Sequence, residues 1–586
     1  MERQKNTFSW KIGGEAGFGI MASGTIFAKT CLRAGLQIFD YSEYPSLIRG
    51  GHNTYQVYVA PQPVRAWRAA VNILVALNRE TVDQHLAEVS PGGAVVFDPG
   101  EYSFRDFRPA ALGRDDIRWH PVSLGQISVD HGGELYMRNT VALGATFALL
   151  SVNFSFPAAV VKDLFMAKGQ AVVDLNLALL RAGYQAIDSE AARHFPWDLD
   201  PLPSPEPPLY LAGNEAIALG ALQAGCKFYA AYPMTPSSTI LHFLAEHGPT
   251  YGMVVRHAED EIGVINETIG AAYAGVRAMC GTAGGGFSLM TEAVGLAGMT
   301  EVGVVIIEAQ RGGPSTGLPT WTEQADLRQV LHASQGDFLK IVLAPGDVEE
   351  CFELTQLAFD LAERYQTPII IMTDKYLAES HVGVPRFRTV LPVDRGLVRR
   401  SEELPPGDRF RRYDPAADGV APRTLPGTPG GLFVANSDEH DRYGFSEEGV
   451  ANRLAQMNRR ARKEAMVLRG LPHPTLVGPA KADLTIVSWG STKGVVSEAR
   501  AILTQRYHLQ TNHLHLWLVN PFPATAVDTL LSRARTTVMV EGNQSGQMAG
   551  WIRQHTGRQF DHHLRQYDGR PFEPEKLAGQ LQALIR

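Results

Sequence analysis

The chain has 586 residues, with 54 Lys and Arg against 61 Asp and Glu and a net charge of −7. At roughly 150 residues per domain it is too long for one hydrophobic core and divides into about three or four domains. The charge balance excludes a general nucleic-acid binder, which shows a basic face. No uninterrupted apolar run of about 18 residues suits a membrane span. No apolar stretch follows Met1–Asn6 to serve as a secretory signal. A cytoplasmic protein is expected.

The four cysteines, Cys31, Cys226, Cys280 and Cys351, lie far apart with no CxxC pair. That spacing suits neither a disulfide framework nor a metal or iron–sulfur site, so no metal ligands are expected here.

In chain order, TFSWKIGGEAGFG (7–19) reads as a strand entering a Gly-rich turn, and IMASGTIFAKTCLRAGL as the helix after it. Strands follow at 71–77 and 93–99 between helical stretches, an α/β domain expected over 1–195. PWDLDPLPSPEPPLY is too rich in proline for a regular element, and 196–208 reads as a linker. A second α/β pattern spans 209–384, with a helix over GNEAIALGALQAG, a strand at KFYAAYP, a helix at 259–275 and strands near 302–309, 340–344 and 366–374. Residues 385–480 read as a connecting segment with one helix at 446–465. A smaller α/β unit occupies 481–586, with strands at 483–491, 514–519 and 536–542.

Three loops carry residue types suited to chemistry. AYPMTPSS (231–238) follows a strand, and in open α/β sheets ligands bind beyond the carboxyl ends of strands. Thr235, Ser237 and Ser238 offer donors suited to a carboxylate, or equally an N-cap for the next helix. The helix at 256–278 carries Glu259, Asp260, Glu261 and Glu267, and most such acids are simply solvated. GTAGGGFSLM (281–290) is a Gly cluster that a tight turn explains as well as a phosphate does. Arg311 in QRGGPSTGLPT (310–320) is shaped for two-point binding of a carboxylate, or is a surface cation of a flexible loop.

Taken together these segments resemble the α subunits of the 2-oxoacid:ferredoxin oxidoreductases. The matches are GNEAIALGALQAG, YPMTPSS, AEDEIGVINETIGAAYAG, GTAGGGFSLM, QRGGPSTGLPTWTEQADL and DGVAPRTLPGTPG followed by NSDEH. IGGEAGFGI (12–20) and EYPSLIRGGHNTYQV (43–57) resemble the γ subunit of the same family, fused ahead; Glu15-Ala16 departs from the expected GGQG. The resemblance implies a multidomain α/β fold: a γ-type domain, a thiamine-diphosphate pyrimidine-binding domain and a transketolase C-terminal-like domain. It implies thiamine diphosphate shared with a β subunit that supplies a GDG motif for Mg²⁺ and the cysteines of a [4Fe–4S] cluster. No GDG occurs in this sequence. Fused γ–α chains look most like the 2-oxoglutarate-using branch, with coenzyme A as co-substrate, ferredoxin as electron partner and an (αβ)₂ assembly.

By position, the resemblance makes Glu261 the glutamate at the aminopyrimidine N1′. Tyr232, Pro233, Pro236, Ser237, Gly285 and Phe287 become cofactor-binding, and Thr235 and Arg311 grip the substrate carboxylate. Ser46 and Arg49 reach the far end of the substrate. The WGSTKG and EGNQSGQ turns are expected to serve subunit packing. The alternatives are a pyruvate, branched-chain or arylpyruvate enzyme of the same family, or a self-sufficient transketolase-like chain, against which the missing GDG argues. A nucleotide-binding or scaffold protein would instead use IGGEAGFG as a Rossmann-like turn, although that turn is not GxGxxG.

Overall fold

The computed structural model describes every residue except 1–2, 48–49, 205, 207, 389–390, 405–406, 408 and 586. The chain forms two compact units, Met1–Leu211 with Ser380–Arg386, and Ala212–Glu379 with Phe387–Arg586.

The first unit is built on an eight-stranded mixed sheet. Phe8–Glu15 runs parallel to Val71–Ala76, which is followed by Val89–Phe97 and Arg118–Pro121, also parallel. On its other side it pairs antiparallel with His52–Ala60, and that strand with Gln37–Glu43. His381–Val384 and the strand opening at Leu209 complete the sheet. The two ends of the segment expected to form the second domain, 209–384, thus serve the first sheet.

Asp40 is the stitch. Its carboxylate accepts hydrogen bonds from Tyr55 (2.5 Å), Tyr210 (2.6 Å) and the His381 amide (2.7 Å). Helices cover the sheet around a stack of Trp10, Phe27 and Phe147. Arg138–Leu149 and Gln170–Gln185 touch backbone to backbone: a Cβ on Gly183 would lie 1.9 Å from the Val141 carbonyl. Only glycine permits that approach.

The second unit holds two sheets. Six strands of the larger are parallel, in the order Val254–His257, Cys226–Ala231, Arg277–Thr282, Val305–Gln310, Ile369–Asp374 and Ile341–Leu343, with Leu518–Asn520 antiparallel at the edge. Their near-continuous apolar composition suits strands buried on both faces. The smaller sheet orders Leu476–Val477, Thr511–Leu516, Leu484–Trp489, Thr537–Glu541 and His562–Arg565.

Between them the expected helix at 446–465 runs over Val450–Gly470. Its anchor is Glu301, fully buried and bound by Arg459 in two-point fashion and by Lys463 at 2.5 Å. Burial alone would raise the Glu301 carboxyl, but Lys463 and Arg459 pull it far below the usual range. Among the described residues, no helix is long and apolar enough to cross a membrane.

Candidate active site

Five adjacent strands of the larger sheet end level with one another. Ala231 is in register with His257 and Gly281, Thr282 with Glu308, and Gln310 with Asp374. The three loops singled out in the sequence all leave these carboxyl ends, which brings Thr235, Glu261, the Gly284–Gly286 turn and Arg311 to one edge of the sheet.

The YPMTPSS loop is held from two sides. Asn214, buried in the helix Gly213–Gln223, donates to the Pro236 carbonyl (2.7 Å) and to Thr239 Oγ1 (2.8 Å). Arg311 donates Nη1 to the Thr235 carbonyl at 2.7 Å. Ser237 stands at the N-cap of Ser238–His247 but makes no cap bond; its hydroxyl turns back to the Met234 carbonyl at 2.7 Å. The capping explanation for this serine therefore fails. Tyr232 and Pro233 are exposed, whereas Pro236 and Ser237 are buried.

Glu261 opens the helix Glu261–Tyr273, with Asp260 as its N-cap, accepting from the Gly263 amide at 2.8 Å. Unlike its acidic neighbours, Glu261 is only 3% exposed. Its Oε1 is buried without a hydrogen-bond partner. A buried unsatisfied carboxylate oxygen is costly and points to a missing donor. Gly286 makes the room: a Cβ there would lie 2.3 Å from Glu261 Oε1 and 2.1 Å from Thr282 Oγ1. Gly285, one residue earlier, is exposed and would meet nothing within 4 Å. Phe287 is fully buried in the core with Val264 and Ile265, so its part is to pack beneath the site.

Arg311 is 8% exposed and borders a cavity of 460 Å³ lined also by Gly284, Gly285, Glu323, Asp326 and Gln544. The loop forming that wall is fixed by the smaller sheet. Gln324 donates to the Trp489 carbonyl (2.9 Å) and accepts from the Gly542 amide (2.8 Å), while Gln547 donates to the Ala325 carbonyl (2.6 Å). The WGSTKG and EGNQSGQ turns grip this loop within the chain.

Two sequence profiles match: "Pyruvate flavodoxin/ferredoxin oxidoreductase, thiamine diP-bdg" over residues 219–459 and "Pyruvate ferredoxin/flavodoxin oxidoreductase" over 9–186. A 2-oxoacid:ferredoxin oxidoreductase subunit alpha from a Sulfolobus species is 31% identical over 99% of this chain and 97% of its own length. A 2-oxoglutarate oxidoreductase subunit KorA from Mycobacterium tuberculosis is 29% identical over 93% and 86%. The 2-oxoglutarate:ferredoxin oxidoreductase structure from Magnetococcus marinus, which holds 2-oxoglutarate, coenzyme A and succinyl-CoA, is 31% identical and superposes with a TM-score of 0.91 over 100% of both chains. The chain belongs to the 2-oxoacid:ferredoxin oxidoreductase α-subunit family.

Members of this family are oxidoreductases, and the thiamine-diphosphate-binding profile covers Tyr232–Ser237, Glu261, Gly284–Phe287 and Arg311. In the first unit Ser46 lies in the loop after Gln37–Glu43, and Arg49 falls outside the described residues. That unit has its own cavity, of 940 Å³, beyond the carboxyl ends of its parallel strands. Among the described residues, Glu15, Glu80, Asp98 and Glu101 line it against one cation, Arg138. Such a crowd of carboxylates repels a diphosphate, which weighs against the nucleotide-binding alternative.

Sequence reasoning missed Asn214, Gly286 and the acids Glu308, Glu323 and Asp326. Only the polar Asn214 within an apolar helical stretch gave a local signal.

Proposed function

We propose that this chain is the α subunit of a thiamine-diphosphate-dependent 2-oxoglutarate:ferredoxin oxidoreductase. It converts 2-oxoglutarate and coenzyme A to succinyl-CoA and CO₂, or runs in reverse to fix CO₂ as in a reductive TCA cycle. Electrons leave for ferredoxin through a [4Fe–4S] cluster on a β subunit, and the working assembly is (αβ)₂ in the cytoplasm. The observation that carries this reading is the unpartnered, buried Oε1 of Glu261, set in a hollow that only a glycine at 286 leaves open.

The residues present fit the aminopyrimidine end of the cofactor. Glu261 would hold a proton between Oε1 and a ring nitrogen, with Gly285, Tyr232, Pro233, Pro236 and Ser237 around it. When bound, thiamine diphosphate supplies the nucleophilic carbon and the electron sink that decarboxylation of a 2-oxoacid needs. Glu261 keeps its proton position because Asp260 fixes the helix start and Gly286 gives the carboxylate no alternative partner. Arg311 and Thr235 orient the substrate carboxylate.

Exposed Tyr232, Ile262 and Leu289 flank this edge and suit a partner chain, which brings the GDG motif, Mg²⁺ and the cluster cysteines. The test is CoA-dependent reduction of a one-electron acceptor by the two-chain complex, with 2-oxoglutarate or pyruvate as substrate. Succinyl-CoA formation with strong preference for 2-oxoglutarate is expected; preference for pyruvate overturns the substrate assignment.

A further inference from the structure

A cavity that binds an anion while lined by carboxyl groups is self-defeating unless those groups carry protons. Glu323 and Asp326 line the 460 Å³ cavity beside Arg311. Behind them Glu308 is fully buried, and no N–H or hydroxyl group donates to either of its carboxyl oxygens, which meet only the Asp326 carboxyl. Ionised, it would have nothing to replace its lost hydration. Burial, then Asp326 and Asp374, push it far above the usual carboxylate range, so it stays neutral. Asp326 is raised as well, by burial, although the hydrogen bond from Glu308 and then the charge of Arg311 oppose the shift.

Glu323, unlike Glu308, is half-buried and open to the cavity. A Cβ on Gly312 would lie 3.1 Å from Glu323 Oε2, which sets the carboxyl beside the residue that follows Arg311. Its other side faces a cleft lined by Asp374, Ser491 and Arg570. The charged groups around Glu323 are thus Arg311, Asp326, Asp374 and Arg570, with Glu308 behind Asp326. Burial, then Asp326, push Glu323 up to about 7.

We propose that Glu323 is a substrate-binding partner of Arg311: neutral, it donates its O–H to the 2-oxoacid carboxylate, and ionised, it repels that anion. This rests on the reading of the cavity as the 2-oxoacid site. Asp326 and Glu308 are positioning residues that act through Glu323. Substrate entering a site with ionised Glu323 draws one proton from solvent, and no covalent bond to the substrate forms or breaks.

The experiment uses the two-chain complex and two readouts. The first is the KM for 2-oxoglutarate from pH 6 to 8.5. In the native enzyme KM climbs above neutrality, approaching about tenfold per pH unit, while kcat changes little. Glu323→Gln flattens the KM profile, and Glu323→Asp restores the climb.

The second is calorimetry of oxamate, an unreactive isostere of the 2-oxoacid head, in two buffers of different ionisation enthalpy at pH 8. About one proton is taken up per oxamate by the native complex and none by Glu323→Gln. A Glu323→Gln profile that still climbs, a loss confined to kcat, or oxamate binding without proton uptake overturns the proposal. If 2-oxoglutarate is not turned over but oxamate uptake depends on Glu323, the substrate assignment falls while this inference stands.

Discussion

Replacing Gly286 with Ala tests the hollow that Glu261 occupies. The added Cβ would stand 2.1 Å from Thr282 Oγ1 and 2.3 Å from Glu261 Oε1, against a comfortable separation of about 3.5 Å. Neither neighbour is the free end of a long surface chain: Thr282 is fully buried on its strand and Glu261 is almost so. Overpacking of this kind costs about 1–3 kcal/mol. The better helix propensity of alanine within Gly284–Thr300 returns about 1 kcal/mol.

Net destabilisation is therefore modest, about 0–2 kcal/mol, and the variant folds. Glu261 cannot keep its place, and the loss of a positioned acid–base group costs about 10²–10⁴ in kcat. The assay is turnover of the two-chain complex beside a thermal melt. Gly285→Ala is the contrast: its Cβ meets nothing in this chain, so stability holds or rises, while the proposed place of Gly285 beside thiamine diphosphate predicts a lower affinity for it. Native kcat in Gly286→Ala, at native stability, would refute the account of the hollow.

Arg311→Ala removes a nearly buried guanidinium from the cavity and the donor to the Thr235 carbonyl. A charged hydrogen bond is worth about 1.5–3 kcal/mol, so KM for the 2-oxoacid should rise by about 10- to 100-fold in steady-state kinetics. Glu301→Ala strands Arg459 and Lys463 in the interior and should cost about 3–5 kcal/mol in denaturant unfolding. Because the folded value of Glu301 is depressed, its contribution is present above the unfolded carboxylate value. It is lost as pH falls through the folded one, so native and variant chains should converge in stability in strong acid.

The strands and the loops that leave them could be read from local pattern, since apolar runs and Gly or Pro punctuation are short-range signals. Glu261 stood out through its motif, but its burial is a tertiary property: it depends on Gly286 of another helix. The sequence reading put Gly285 at the cofactor and did not single out Gly286, because a run of three glycines does not say which one lacks room for a side chain. The return of residues 381–384 to the first sheet depends on Asp40, some 340 positions away in the chain, and no periodicity encodes such a pairing. Glu308, Glu323 and Asp326 looked like ordinary strand and loop acids. Full burial sets Glu308 apart, and the cavity they line sets Glu323 and Asp326 apart.

The central claim is that Glu261 holds the proton on which the chemistry turns, and Glu261→Gln in the two-chain complex tests it most directly. The side chain keeps its shape but can no longer share a carboxyl proton. The expected result is an assembled complex that still binds thiamine diphosphate, with CoA-dependent 2-oxoglutarate oxidation reduced by at least about 100-fold. Turnover near the native rate in that complex would contradict it.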